Sequence, residues 1–211
     1  MARSYGQLGR LAQDRGDHAQ AQQEYSRALA IREQLGDQHG MATIHHNLGT
    51  VAQMLGDHDE AEHQYRQAIN ISERIGDQAT TAATYAMLGA LAYKRRNHHE
   101  AERHYRRSID ISERLGNQAQ MAAVYSQLGI LETDRGGSAV RAITWHVQAL
   151  AIGLQRGTAQ EDSVRHLAMI RGELGPDRFC VLLANATGDT DQAEKITALL
   201  DQLDAADRDR R

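Results

Sequence analysis

The stretch LGDHDEAEHQYRQAINISERIGD, Leu55 to Asp77, returns 40 residues later as RRNHHEAERHYRRSIDISERLGN, and this period constrains the chain more than any other feature. A fixed repeat of a few tens of residues marks a stack of supersecondary units, none of which can bury its apolar face alone. Segments starting at Ala2, Ala42, Ala82 and Ala122 align: Leu-Gly recurs at Leu8-Gly9, Leu48-Gly49, Leu88-Gly89 and Leu128-Gly129. Gly16-Asp17-His18, Gly56-Asp57-His58 and Arg96-Asn97-His98 follow, then Ala21, Ala61 and Ala101, then Tyr25, Tyr65 and Tyr105. Gly36-Asp37, Gly76-Asp77 and Gly116-Asn117 close the units.

Each unit reads as two helices. Ile44, Leu48, Val51, Ala52 and Leu55 share one helical face, which predicts a first helix over Ala42 to Leu55. Asp57 caps a second helix over His58 to Ile75, with Ala61, Tyr65, Ala68, Ile69 and Ile71 inward, and Gly76 supplies a left-handed stop. Gly49 and Ala61 allow close backbone approach, and Tyr65 fills the space further along. Composition agrees: 41 % of residues are hydrophobic but only 4 % aromatic, and Pro176 is the single proline, which suits helices and not sheets.

The order Leu-Gly, small residue, Ala, Tyr, Ala in a helix pair resembles the tetratricopeptide repeat. The 40-residue form looks like the arrays of kinesin light chains, of Pins-type polarity scaffolds and of actinobacterial regulators that carry an NB-ARC ATPase module. The resemblance covers residues 2 to about 157 and implies an all-α, right-handed α-solenoid that binds proteins. The expected organisation is four repeats (about 2–40, 41–80, 81–120 and 121–157), capping helices over 158–203 and a charged tail, 204–211. The fourth unit departs from the pattern, with an extra residue placed at Gly137 and Trp145-His146 where the Tyr stood. Val164, Leu167, Ile170 and Leu174 mark a further helix; another carries Phe179, Val181, Leu182 and Leu183, and Asp191 to Leu203 makes the last. ELGPDRFCVLLANATG is similar to tails behind such arrays in actinobacterial proteins, and the closing AADRDRR reads as a solvated fringe.

Chemistry is sparse. His18, His58 and His98 occupy one repeat slot at the start of the second helix, where ring packing explains them; His58 and His63 are on different faces, His99 with Glu102 gives only two ligands, and His45-His46 point apart. Cys180 sits in an apolar run and reads as a buried thiol. A lone cysteine supports no disulfide, and the absence of a long apolar run or signal-peptide core points to a cytoplasmic protein that does not enter a membrane. Gly-rich phosphate loops, GxSxG and HExxH are missing from the sequence, so neither an enzyme, a cofactor nor a metal centre is expected. The near-exclusive use of Arg, with Lys94 and Lys195 the only lysines, agrees with a bacterial source.

A net charge of -4 argues against general nucleic-acid binding. Locally, the unit from Thr81 to Gln120 holds seven basic and four acidic residues, whereas Met41 to Thr80 holds two and six. The basic stretch Lys94 to Arg107 therefore leaves an acidic partner or a nucleic acid as the alternative function, with a metal-binding histidine cluster as the other alternative.

In the family fold the first helices line a concave groove. Their inner positions give Gln7 and Arg10 from the first unit, His46, Asn47, Thr50 and Met54 from the second, Ala83, Met87, Ala90 and Lys94 from the third, and Gln127 and Ile130 from the fourth, with Ser126 and Ala123 beside them. A polar groove with an apolar floor suits an extended or helical peptide, its backbone held by amides such as Asn47 and Gln127. The carboxylate clamp of chaperone-binding family members would need basic or Asn residues at Gly6, Arg10, Asn47, Ala83 and Met87. Only Asn47 matches outright, so a chaperone's acidic C-terminus is not the expected ligand. The expected function is a regulatory or scaffolding module that binds a peptide or neighbouring domain, with self-association through the first helix pair as a further option.

Overall fold

A computed structural model describes residues 1–158 and 161–208, with side chains for all of these except 203, 204 and 206–208. Among them every regular element is an α-helix. The junctions explain why. Asp57 Oδ1 accepts a hydrogen bond from Glu60 N at 3.1 Å, satisfying one of the orphan donors of the following helix. Asp17, Asp37, Asp77, Asn97 and Asn117 repeat that cap. The helix before such a cap stops at a residue with positive φ: Gly76, at φ 73°, turns the chain so that Asp77 N reaches Ser72 O at 2.8 Å. Arg96 is the non-glycine exception, held at φ 61° in the slot of Gly16 and Gly56, a conformation that costs about 1 kcal/mol or more.

The helices are α1 (Ala2–Asp14), α2 (His18–Leu35), α3 (Gln38–Leu55), α4 (His58–Ile75), α5 (Gln78–Lys94), α6 (His98–Leu115), α7 (Gln118–Asp134), α8 (Ala139–Arg156), α9 (Glu161–Leu174), α10 (Pro176–Thr187) and α11 (Thr190–Arg208). The expected second helix over His58 to Ile75 is α4. Its predecessor starts four residues earlier than the apolar pattern indicates, because Asp37 both follows the glycine stop and caps the next helix through Gly40 N. Leu55, read as inward, is 49 % exposed at the very end of α3.

Contacts divide the chain into two compact units, Met1–Gly116 and Asn117–Arg211. In the first, α1–α2, α3–α4 and α5–α6 form antiparallel hairpins, with α2 packed on α3 and α4 on α5. The helices of each hairpin meet where glycine faces a ring. A Cβ on Gly9, Gly49 or Gly89 would lie 2.7, 2.6 or 2.5 Å from a ring carbon of Tyr25, Tyr65 or Tyr105. Ala21, Ala61 and Ala101 are wholly buried beside them, so the small residues set the interhelical distance and the tyrosines fill the gap.

The hydroxyls of these tyrosines are not equivalent. The single hydroxyl proton of Tyr65 is shared between Gln53 Oε1 at 3.0 Å and Thr50 Oγ1 at 3.3 Å; burial pushes its pKa up to about 12, against the Thr50 hydrogen bond. Tyr25 donates to Gln13 Oε1 at 3.1 Å. In the third hairpin Tyr93 replaces that glutamine, and the buried Tyr105 hydroxyl makes no hydrogen bond among the described residues. Tyr65→Phe is therefore expected to cost about 1 kcal/mol, while Tyr105→Phe is neutral or stabilising. Urea melts of the two variants check this, and equal losses would refute it.

The second unit has a different core. Ala142, Ile143, Val147 and Leu150 of α8 pack with Leu167 and Ile170 of α9, Phe179 and Leu183 of α10, and Ile196 and Leu200 of α11. The fourth hairpin thus shares its apolar interior with the C-terminal helices. Within α10, Phe179 and Leu183 are buried, whereas Val181 is 61 % exposed and Cys180 is exposed too. The expectation of a buried thiol fails because positions 179, 183 and 186 take the core face, which turns 180 and 181 outward. The expectation for the closing AADRDRR falls largely on side chains outside the described residues.

His146 takes the tyrosine slot of the fourth hairpin, since a Cβ on Gly129 would meet its ring at 2.5 Å. Its ring stacks on His166 with centroids 5.1 Å apart, and Nδ1 lies 3.3 Å from Ser163 Oγ. The extra residue of this turn leaves Ser138 without a side-chain cap. Glu132, 3 % exposed, braces the turn instead: Oε1 accepts from the N–H of Ser138, the cap residue itself, at 2.8 Å, and Arg135 pairs with Oε2.

Candidate functional site

The inner positions of the first helices separate into committed and uncommitted side chains. In the first unit Gln7 and Arg10 on α1, Met54 on α3 and Lys94 on α5 are exposed, while His46, Asn47 and Thr50 on α3 and Ala83, Met87 and Ala90 on α5 are half-buried. His46 is held by its neighbours: its Nδ1 lies 2.9 Å from Thr84 Oγ1 and its ring 6.0 Å from that of Tyr65. Burial holds its pKa below the usual histidine value, so it is a neutral wall between α3 and α5. Thr50 donates to His46 O at 3.1 Å and accepts from Tyr65, which makes it part of the hairpin as much as of its surface.

Asn47 is different, since its amide has no hydrogen bond within the chain among the described residues. Met87 packs one side against the Tyr65, Leu88 and Leu91 cluster. A half-buried amide and a half-buried thioether thus occupy the same repeat slot on adjacent helices, Asn47 on α3 and Met87 on α5. In the second unit Gln127 and Ile130 stand half-buried on α7. Ser126, read as part of this face, is 5 % exposed and belongs to the interior, while Ala123 is exposed.

The repeated histidines behave as packing groups. His18, His58 and His98 are half-buried in the first turns of α2, α4 and α6, and the His98 ring stacks on Tyr93 with centroids 6.3 Å apart. His45 and His46 do point apart, the first to Gln64 Oε1 at 2.6 Å and the second to Thr84. Among the described residues no group of three or more His, Cys, Asp or Glu side chains converges as metal ligands would. Nor is any described helix long and apolar enough to cross a membrane.

The basic stretch is divided by the fold. Arg95 turns back to α4, pairing with Asp59 at 2.6 Å and Glu62 at 2.7 Å, and helps to hold the Glu62 carboxyl below its usual range, after the Arg66 hydrogen bond that does so most. Arg103, Arg106 and Arg107 leave the other way and line a cleft with Arg66. Sequence spacing alone missed that grouping, because Arg66 belongs to the acidic second unit; the signal lies in comparing equivalent slots, where Gln23, Ser26 and Arg27 become His63, Arg66 and Gln67 and then Arg103, Arg106 and Arg107.

Comparison with known proteins agrees with this architecture. The family profile described as tetratricopeptide repeat matches residues 1–74 and 80–155. No curated protein matches the chain. Among solved structures, BtubC (BKLC) from P. vanneervenii superposes with a TM-score of 0.68 at 24 % identity, over 95 % of this chain and 78 % of that one. RapI in its apo form gives 0.74 at 14 % identity, over 88 % and 66 %. The nearly identical TPR-like repeats assigned to a kinesin light chain of Podosopora anserina give 0.65 at 16 %, over 98 % and 95 %. These likenesses concern the fold, and they include the kinesin-light-chain type that the repeat resembles. With both matched segments inside the periodic region, the chain belongs to the tetratricopeptide repeat family.

Proposed function

We propose that this protein is a non-catalytic interaction module that captures a peptide segment on the inner face of its first helices, as a regulatory or scaffolding part of a cytoplasmic bacterial system. One observation carries the reading. Slots that build the hairpins keep their residue type, as Gly9, Gly49 and Gly89 do against their tyrosines, whereas slots on the inner face change from unit to unit while staying accessible. Arg10, Thr50, Ala90 and Ile130 share one slot, and Gln7, Asn47, Met87 and Gln127 another. Periodic packing with aperiodic surface is what a binding face on a repeat scaffold requires. Asn47 supplies an amide for a peptide backbone, and Met87 an adaptable apolar contact.

Peptides selected from a random displayed library on the intact protein test this. Substituting Asn47→Ala together with Met87→Glu is expected to weaken the selected peptides about tenfold, close to 1.4 kcal/mol, with helicity retained. Unchanged affinity across the selected set would reject the inner face as the site.

A further inference from the structure

The third repeat carries a feature that the packing of the hairpins does not need. Between α4 and α6, floored by α5, lies a cleft of about 580 Å³, within the range of small-ligand and peptide pockets. Arg66 reaches it from α4, and Arg103, Arg106 and Arg107 from α6. The repeat does not impose this charge: one unit earlier, the slots of these four residues are held by Ser26, His63, Arg66 and Gln67. Three of the four arginines therefore appear at this one junction.

The guanidiniums are accessible and already oriented. The Arg66, Arg103 and Arg106 side chains are 60 %, 65 % and 53 % exposed. Arg66 uses Nε and Nη2 on Glu62 at 2.8 and 2.6 Å, and Arg103 reaches Glu100 at 3.3 Å. Pairs of this kind, one turn apart on a wet helix face, contribute only about 0.3–0.5 kcal/mol, so an incoming carboxylate can share or replace them at small cost. Between the arginines lies an aromatic platform: the Tyr85 ring stacks on His104 with centroids 5.9 Å apart, and burial, with Arg103 beside it, keeps His104 below its usual pKa. The Tyr85 hydroxyl donates to Glu73 Oε1 at 3.1 Å, fixing the ring.

We infer that this cleft is a second binding surface, for an acidic peptide segment that carries an aromatic or aliphatic side chain next to its carboxylates. The carboxylates pair with Arg103 and Arg106, and the neighbouring side chain lies on Tyr85 and His104. Bidentate guanidinium–carboxylate pairing supplies the polar part of the recognition and the rings supply the apolar part. A peptide fits better than a nucleic acid because Glu73 and Asp110 line the same cleft. A phosphate at every link would meet those carboxylates, whereas a peptide can place a neutral or basic residue beside them.

Fluorescence anisotropy of a fluorescein-labelled peptide rich in Glu and Tyr, titrated with the full chain, tests the inference. Binding should weaken as salt is raised, and Arg103→Gln with Arg106→Gln should weaken it about tenfold, since each substitution removes a charge-assisted contact. The Asn47→Ala, Met87→Glu variant should bind the probe as the parent does, which separates this surface from the inner face. A probe with Gln in place of Glu should not bind. Far-UV circular dichroism and melting establish that the exposed substitutions leave the fold intact. No binding by the parent chain, an unchanged affinity in the arginine variant, equal weakening in the Asn47 and Met87 variant, or tighter binding of a single-stranded oligonucleotide would each overturn the inference.

Discussion

Gly89→Ala is expected to destabilise the protein by about 1–3 kcal/mol, although alanine is the better helix former. The new methyl would stand 2.5 Å from Cδ1 and 2.6 Å from Cε1 of Tyr105, a ring that is 1 % exposed and cannot step aside. Either the hairpin opens or the tyrosine leaves its rotamer, and both lose packing against Ala101. Gly172→Ala is the control: this glycine lies inside α9 with nothing within 4 Å of its would-be Cβ, so alanine should stabilise by about 0.5–1 kcal/mol. Urea midpoints that move in opposite directions for the two variants are the expected result. A loss at Gly172 as large as that at Gly89 would mean that the tyrosine contact does not set the hairpin spacing.

Acid should weaken the fold steadily below neutrality, and His146 should carry much of the slope. Its ring is fully buried, and burial first, then the neighbouring His166, lowers its pKa from 6.5 to about 3. Below pH 6.5 the unfolded chain takes up a proton that the folded one refuses until about pH 3, so stability falls with pH across that window by up to ~1.4 kcal/mol per unit. Above 6.5 both states are neutral and the contribution is complete. The groups around the ring are His166 and Ser163 on α9 and Gly129 on α7, none of which can balance an imidazolium. His46 and His104, also lowered by burial, add their own part in the first unit. Denaturation midpoints at several pH values should therefore show a steeper acid limb for the parent than for His146→Gln. Parallel limbs would place the acid sensitivity elsewhere.

Hairpins were legible in the sequence because turn chemistry and small-residue spacing repeat: Gly76-Asp77 declares a stop and a cap, and Gly49 with Tyr65 declares a contact. What escaped is what a single period cannot encode. The helix start at Gln38 was hidden because the first turn of α3 is polar and only its later turns show the apolar face. Cys180 was misplaced because an unbroken apolar run in α10 does not say which third of the helix faces the core. Asn47 and Met87 could be named from their slot, but the hydrogen bond that commits His46 to Thr84 needed coordinates. The cleft at Arg66 and Arg103 was out of reach for a related reason: its walls are 37 residues apart, and the motif exists only where two second helices lie side by side.

Glu132 stands where the earlier hairpins have Ala12, Ala52 and Ala92, and its carboxylate accepts from the N–H of Ser138, which starts a helix without a side-chain cap. An extra residue in a tight junction would ordinarily strip the next helix of its first hydrogen-bond acceptor. Here one buried exchange of methyl for carboxylate pins the longer turn to the preceding helix through the Ser138 N–H. Junctions of this kind can therefore change in length during divergence provided an acceptor on the preceding helix holds the longer turn, which lets a repeated scaffold drift in its loops while its hairpins stay fixed.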